Sequence, residues 1–197
     1  MLALVLVEYA TGIIVWDDRR TTEQLVRAFF SGLLSGVVIA LIEEPVFRGF
    51  FYNQFRRRWG VAAGAVGSSF CYAFVHFIRS AGNPETITWY SGFEVLASAF
   101  HKYGEATTIG PFVALLTVGV WLSLIRERTG HLGWGIGLHA GWVAVIRMSR
   151  KATNLTDDES LRWLAYGYDE ITGWLAAGWL TILAVGWFVW SRKRSAS

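Results

Sequence analysis

The sequence predicts an all-α fold, a polytopic integral membrane helix bundle with about six transmembrane helices. Three observations carry that expectation. Hydrophobic residues make up 53% of the 197 positions, and the mean hydropathy is +0.37. The 11 Trp, 7 Tyr and 13 Phe exceed the aromatic content usual for a soluble domain of this size and suit lipid-facing and interfacial belts. The basic residues gather at the ends of apolar segments, where they act as topology markers. The net charge of +3 and pI near 9.2 therefore do not point to nucleic acid as a partner. The single Cys71 leaves no intrachain disulfide framework and no cysteine-rich metal site. One integral membrane domain over residues 1–197 is the economical organisation, without internal repeat or low-complexity segment.

Taken in order, Met1 to Trp16 is apolar except for Glu8 and lacks a basic n-region and a small-residue cleavage site. It reads as a membrane segment, short of the ~20 residues of a full span. Asp17 to Arg20 form a polar break, after which Thr21 or Thr22 caps a helix from about Glu23 to Arg58. At ~1.5 Å per residue that helix outruns the bilayer core, so one end projects. Gly32 and Gly36 form a GxxxG pair for close helix approach. Arg56 to Gly60 end the helix, and a second from about Val61 to Ile78 returns with Gly60, Gly64, Ser68, Tyr72 and His76 recurring every four residues. Arg79 to Gly110 is a long connection through Gly82, Asn83 and Pro84, with an aromatic, mildly amphipathic piece from Phe93 to Phe100 expected at the interface. Further spans run from about Pro111 to Ile125, from Leu132 to Met148 and from Ile171 to Trp190. The second of these carries Gly133, Gly137 and Gly141 as overlapping GxxxG pairs, and the last is stopped by Arg192, Lys193 and Arg194. Lys151 to Asp169 is a polar outer loop. Six spans put both termini on the side of Arg56 to Arg58, which we assign to the cytoplasm.

Within this apolar chain the stretch ALIEEPVFRGFFYNQF, Ala40 to Phe55, holds two adjacent carboxylates and an arginine. An ionisable group at bilayer depth costs about 2.5–3.5 kcal/mol, so these groups should face a protein interior or a water cavity and have partners. Glu44 and Arg48 are spaced for an i,i+4 ion pair, whereas Glu43 points about 100° away and is left chemically free. Pro45 cannot donate to the carbonyl of Leu41 and bends the helix beside them. If the chain turns at Trp59 and Gly60, Glu43 and His76 are equally far from the turn, roughly 25 Å, and meet at one depth. Each residue also has a structural reading: a buried ion pair for Glu44 and Arg48, an interhelical tie for Glu43, and a satisfied interhelical hydrogen bond for His76 and His139.

These residues carry a resemblance. EEPVFRG, with Glu43, Glu44 and Arg48, matches an EExxxR motif; His76 in YAFVH takes the histidine of FxxxH, and His139 in HAGWV that of HxxxN. In this order on successive membrane helices the set resembles the CPBP (ABI) family of CAAX-protease-like intramembrane endopeptidases, over a core region of residues 33–147. The resemblance implies peptide-bond hydrolysis in the membrane, with Glu43 and His76 activating a water, His139 facing the oxyanion, and Glu44, Arg48 and Tyr72 supporting the site. The implied substrate is a membrane-associated protein or peptide, with a prenylated CAAX tail as one family class. The location expected is a bacterial plasma (inner) membrane, and the lipid bilayer is the other partner. Two positions depart from the motifs: Tyr72 stands for Phe, and Val143 for the Asn of HxxxN, removing a side-chain donor. No cofactor is favoured. The alternatives are a zinc enzyme with Glu43, His76 and His139 as ligands, and a non-catalytic scaffold that has lost the chemistry.

Overall fold

Thr21 and Gln24 set the start of the long first span. The Thr21 hydroxyl accepts from the Gln24 amide at 3.3 Å while the Gln24 side chain accepts from the Thr21 amide at 3.2 Å, a reciprocal cap for α2 (Thr22–Glu44). The computed structural model describes residues 1–78, 87–165 and 171–195, the side chains of 162 and 188–195 excepted. Before α2 come α1 (Leu2–Ala10) and a three-residue strand β1 (Ile14–Trp16). After it a π-helical segment, Pro45–Phe51, leads into α3 (Tyr52–His76). The rest is α4 (Ser91–Ser98), α5 (Ile109–Thr129), α6 (Gly133–Ala152), β2 (Thr153–Leu155), α7 (Glu159–Arg162) and α8 (Trp174–Ser195). The expected Gly82, Asn83 and Pro84 of the long connection, and the side chains of Arg192, Lys193 and Arg194, lie outside the described residues.

The molecule is a helical membrane bundle, as the composition predicts. Among the described residues, two segments are long and apolar enough to cross a bilayer, Thr22–His76 and Ala106–Thr129. Only 17% of the apolar window in the first is buried, and Phe30, Leu34, Val38, Leu41 and Ile42 are all exposed. An outward apolar face of that extent needs a non-aqueous neighbour.

The helix expected from Glu23 to Arg58 is unbroken but changes type along its length. Pro45 has no N–H for the Leu41 carbonyl, and the backbone resolves this by widening into seven π-helical residues. The predicted reversal falls where the sequence places it: Gly60 adopts φ +88° inside α3, a value that glycine tolerates best, and splits it into two arms. The arms are tight, since a Cβ at Gly64 would sit 3.1 Å from the Tyr52 ring and 3.2 Å from its carbonyl oxygen.

Residues Met1 to Trp16 form no full span. The nine residues of α1 rise about 14 Å, half of the hydrocarbon thickness. Leu4, Ile13 and Ile14 are buried against Ala114, Ala176 and Ala177 of α5 and α8. β1 then pairs antiparallel with β2, Ile14 opposite Leu155 and Trp16 opposite Thr153, a small ribbon that the all-α expectation did not contain. Asp17 closes it: its amide donates to the Ala152 carbonyl, and a hydrogen bond from the Arg19 side chain, with Arg20 close by, holds its carboxyl down to about 2.

α2 and α6 form the most extensive helix pair. The close approach comes from Gly32 and Gly36 of α2, as expected, but α6 meets them with Ala140, Val143 and Ala144. Gly137 and Gly141 have open space where a Cβ would go, so the predicted GxxxG seam of α6 is not its packing face. Position 137 lies two residues from both Gly135 and His139, about 200° round the helix from the face that packs.

This packing makes a prediction. Gly36→Ala would set a methyl 2.9 Å from the Ala140 carbonyl oxygen and 3.0 Å from its Cα, where backbone must move. It should lower the thermal midpoint in detergent, by about 1–3 kcal/mol of overpacking. Gly137→Ala should be neutral or raise the midpoint slightly, through helix propensity. Equal loss in both would assign the helix contact to the wrong face.

Candidate active site

Three helices deliver the polar residues to one level. Glu43 and Glu44 close α2, Arg48 belongs to the π-helical segment, Tyr72 and His76 end α3, and His139 lies six residues into α6. Glu44 and Arg48 are both fully buried, with Arg48 Nη1 3.2 Å from Glu44 Oε1, the ion pair that the i,i+4 spacing predicts. The guanidinium carbon also stands 4.3 Å from the centroid of the Tyr72 ring, a cation–π contact that helps a charge out of water. Tyr72, the departure from the family's Phe, is thus a lid on the arginine, with its ring 4.4 Å from the His76 imidazole.

Glu44 has a second duty that spacing alone did not reveal. Its Oε1 is 3.0 Å from His139 Nδ1, across 95 residues of sequence. The carboxylate accepts there, which leaves Nε2 of His139 facing Glu43 Oε2 at 3.7 Å. Valine at position 143 cannot hold His139, and the neighbouring carboxylate orients the ring instead. Gly135 makes this possible, because a Cβ at that position would lie 2.9 Å from Glu44 Oε2. Nothing in the sequence marks Gly135; it is one of several glycines on α6, and its role depends on the register between α2 and α6.

His76 is oriented by backbone. Its Nδ1 lies 2.8 Å from the Tyr72 carbonyl oxygen, which only accepts, so Nδ1 carries the proton and Nε2 points at Glu43 Oε1, 3.9 Å away. Glu43 differs from Glu44 in environment: its side chain is 23% exposed, and it opens with His76 and His139 into a cavity of about 740 Å³. Val143 and Trp142 also line that cavity, whose far end is formed by the last turns of α6. Glu43, His76 and His139 thus converge, with Glu44 and Arg48 behind them.

The carboxylate and two imidazoles are donors that zinc accepts. Among the described residues, however, no group of three His, Cys, Asp or Glu side chains is drawn together as a ligand set. The distances of 3.7 and 3.9 Å leave room for a water between Glu43 and the two imidazoles.

The helices thus build a buried junction with one partly solvated glutamate between two oriented imidazoles. The chain belongs to the Rce1-like family of type II CAAX prenyl endopeptidases, whose family model matches residues 25–145. That family is one of peptidases, and the match covers both the EExxxR stretch and the two histidines. Searches of curated proteins and of solved structures returned no match.

The two glutamates should respond differently to neutralisation. Glu44→Gln leaves Arg48 buried without a counter-charge and weakens the tie to His139, at about 3–5 kcal/mol, so the yield of folded protein in detergent should fall sharply. Glu43→Gln, at the cavity wall, should elute and melt like the parent. Equal loss of folded yield would mean that both carboxylates are structural.

Proposed function

We propose that the chain is an intramembrane endopeptidase of the glutamate type, hydrolysing a peptide bond of a membrane-associated protein or peptide. The observation that supports this best is Glu43, partly solvated and facing Nε2 of both His76 and His139. A water at ordinary hydrogen-bond distance from Glu43 Oε1 and His76 Nε2 fits the 3.9 Å gap between them. In this reading Glu43 takes a proton from that water as its oxygen bonds to the scissile carbonyl carbon. The carbonyl π pair becomes the oxyanion of a tetrahedral intermediate. The proton then passes to the peptide nitrogen as the C–N bond breaks, giving a carboxylic acid and an amine.

His139 serves the oxyanion. Its Nδ1 is held by the Glu44 carboxylate, so Nε2 is aimed into the cavity and, when it carries a proton, donates to the oxyanion. Val143 contributes no donor, and Trp142, whose indole has an N–H, is the neighbouring side chain on the same wall. Loss of one oxyanion donor typically costs about a hundredfold or more, so this chain is expected to be slower than relatives that keep the Asn. The multi-pass placement in a bacterial plasma membrane follows from the same reading.

The zinc alternative draws support from one feature: a histidine held through Nδ1 by a carboxylate is the arrangement common around metal ligands. If a metal bound, Glu43, His76 and His139 would hold it, and it would supply a more acidic water. The non-catalytic alternative rests on Val143.

One experiment separates the three. With a fluorogenic peptide delivered in micelles, cleavage should persist after exhaustive chelation and vanish, by at least about a thousandfold, in Glu43→Gln. Activity lost on chelation and regained with zinc would replace the glutamate mechanism by the metal one. No cleavage in the parent protein would favour the scaffold.

A further inference from the structure

One wall of the cavity is a single stripe of α6. His139, Trp142, Val143, Ile146, Arg147 and Arg150 all line it, at offsets that return to one helical face. Their surroundings differ. Val143 is turned toward α2, its Cβ 3.0 Å from where a Cβ on Gly36 would lie. Trp142, one residue earlier, is on the opposite flank and packs against a cluster that contains Tyr72, Leu115, Val118 and Leu180. Arg147 is tethered to α2, its Nη1 donating to Ser35 Oγ at 3.1 Å. Eight residues past His139, it stands about 12 Å from the reacting groups.

Two interior tryptophans use their N–H groups differently. Trp121 Nε1 donates to the Leu180 carbonyl at 3.0 Å. Trp142 packs against the cluster that holds the same leucine, yet its Nε1–H has no acceptor among the described residues, and the nitrogen stays accessible. An indole N–H inside a protein ordinarily finds a partner. This one is left open on a cavity wall, beside a histidine. Cβ atoms three residues apart on a helix are about 5–6 Å from each other. Side chains lean toward the helix N-terminus, so Trp142, almost one turn past His139, reaches back to the level of the imidazole. From there two donors converge on one oxygen. The indole N–H is a donor only and does not titrate, so it is available at every working pH.

We propose that Trp142 is a catalytic residue: its Nε1–H donates a second hydrogen bond to the tetrahedral oxyanion, beside Nε2 of His139. It rests on the peptidase reading above and adds a reacting-centre contact to it. The indole thereby recovers part of what Val143 leaves out.

The test changes one group. The full chain in neutral detergent carries 3-benzothienylalanine in place of Trp142, introduced by stop-codon suppression, which keeps the two-ring shape and replaces N–H by sulfur. With a fluorogenic peptide in micelles, kcat should fall about tenfold to a hundredfold, while KM, folded yield and the shape of the pH profile hold. Trp142→Phe should lose at least as much. Val143→Asn should raise kcat only a few-fold in the parent but about tenfold or more in the benzothienyl protein, where its amide supplies the missing bond. A fluorescent peptide trifluoromethyl ketone, whose hydrate presents a tetrahedral oxygen, should bind the benzothienyl protein roughly tenfold or more weakly by anisotropy. In a cleaving parent, unchanged kcat or unchanged ketone affinity in the benzothienyl protein overturns the proposal and leaves Trp142 as cavity wall. So does an equal gain from Val143→Asn in both backgrounds. A parent that cleaves nothing sinks the peptidase reading instead. The ketone then decides alone: affinity that depends on the N–H keeps the Trp142 donor, and affinity indifferent to it removes the donor as well.

Discussion

The rest of the site depends on the fully buried Glu44 carboxylate. A charge placed there is tolerable only because it is shared: Arg48 stands on one side of Oε1 and His139 Nδ1 on the other. The same oxygen therefore sets the position of Arg48 under the Tyr72 ring and the direction of a histidine ninety-five residues away. Glu43, one residue earlier, inherits the complementary direction. It faces the cavity because its neighbour is committed elsewhere. Adjacent identical side chains thus take different duties from the helical period alone, one satisfied inside the protein and one left to water.

Much of this was legible in the sequence, and the reason is one-dimensional periodicity. Four-residue spacing predicted the Glu44–Arg48 pair, and counting helical rise from Gly60 brought Glu43 and His76 to the same depth. Gly60 itself announced the reversal, since few other residues take its φ. What could not be read depended on register between helices distant in sequence. The hold of Glu44 on His139 and the clearance at Gly135 arise only when α6 is laid against α2. For the same reason the glycines of α6 misled: the pattern Gly133, Gly137, Gly141 is genuine, but nothing in one helix says which of its faces the neighbour will meet. The N-terminal segment failed differently. Its hydropathy is right for a membrane, yet Ile13 and Ile14 are used to cover α5 and α8 rather than to cross a bilayer.

Pro45 links the local chain to this arrangement. Its missing N–H forces the backbone to widen just after the paired glutamates, and the seven-residue π turn that results carries Arg48 into the interior. Such insertions are uncommon because they worsen hydrogen-bond geometry, and they recur where a side chain has to be re-aimed. Here the widened turn brings Arg48 to the Glu44 carboxylate and the face of the Tyr72 ring.

The tether between Ser35 and Arg147 also acts as a depth gauge. From Ser35 to the arginine cluster at Arg56 the chain advances twenty-one residues, about 30 Å at helical rise, which is the thickness of a bilayer's hydrocarbon core. With cations marking both boundaries, Glu43 lies off centre, about 12 Å from the Arg147 boundary and about 20 Å from the other. Water has the shorter path from the Arg147 face, and the cavity runs that way. Which proteins can be reached is then decided by the compartment this face meets. That question belongs to membrane insertion rather than to catalysis, and two chains with the same site but opposite insertion would serve different sets of substrates.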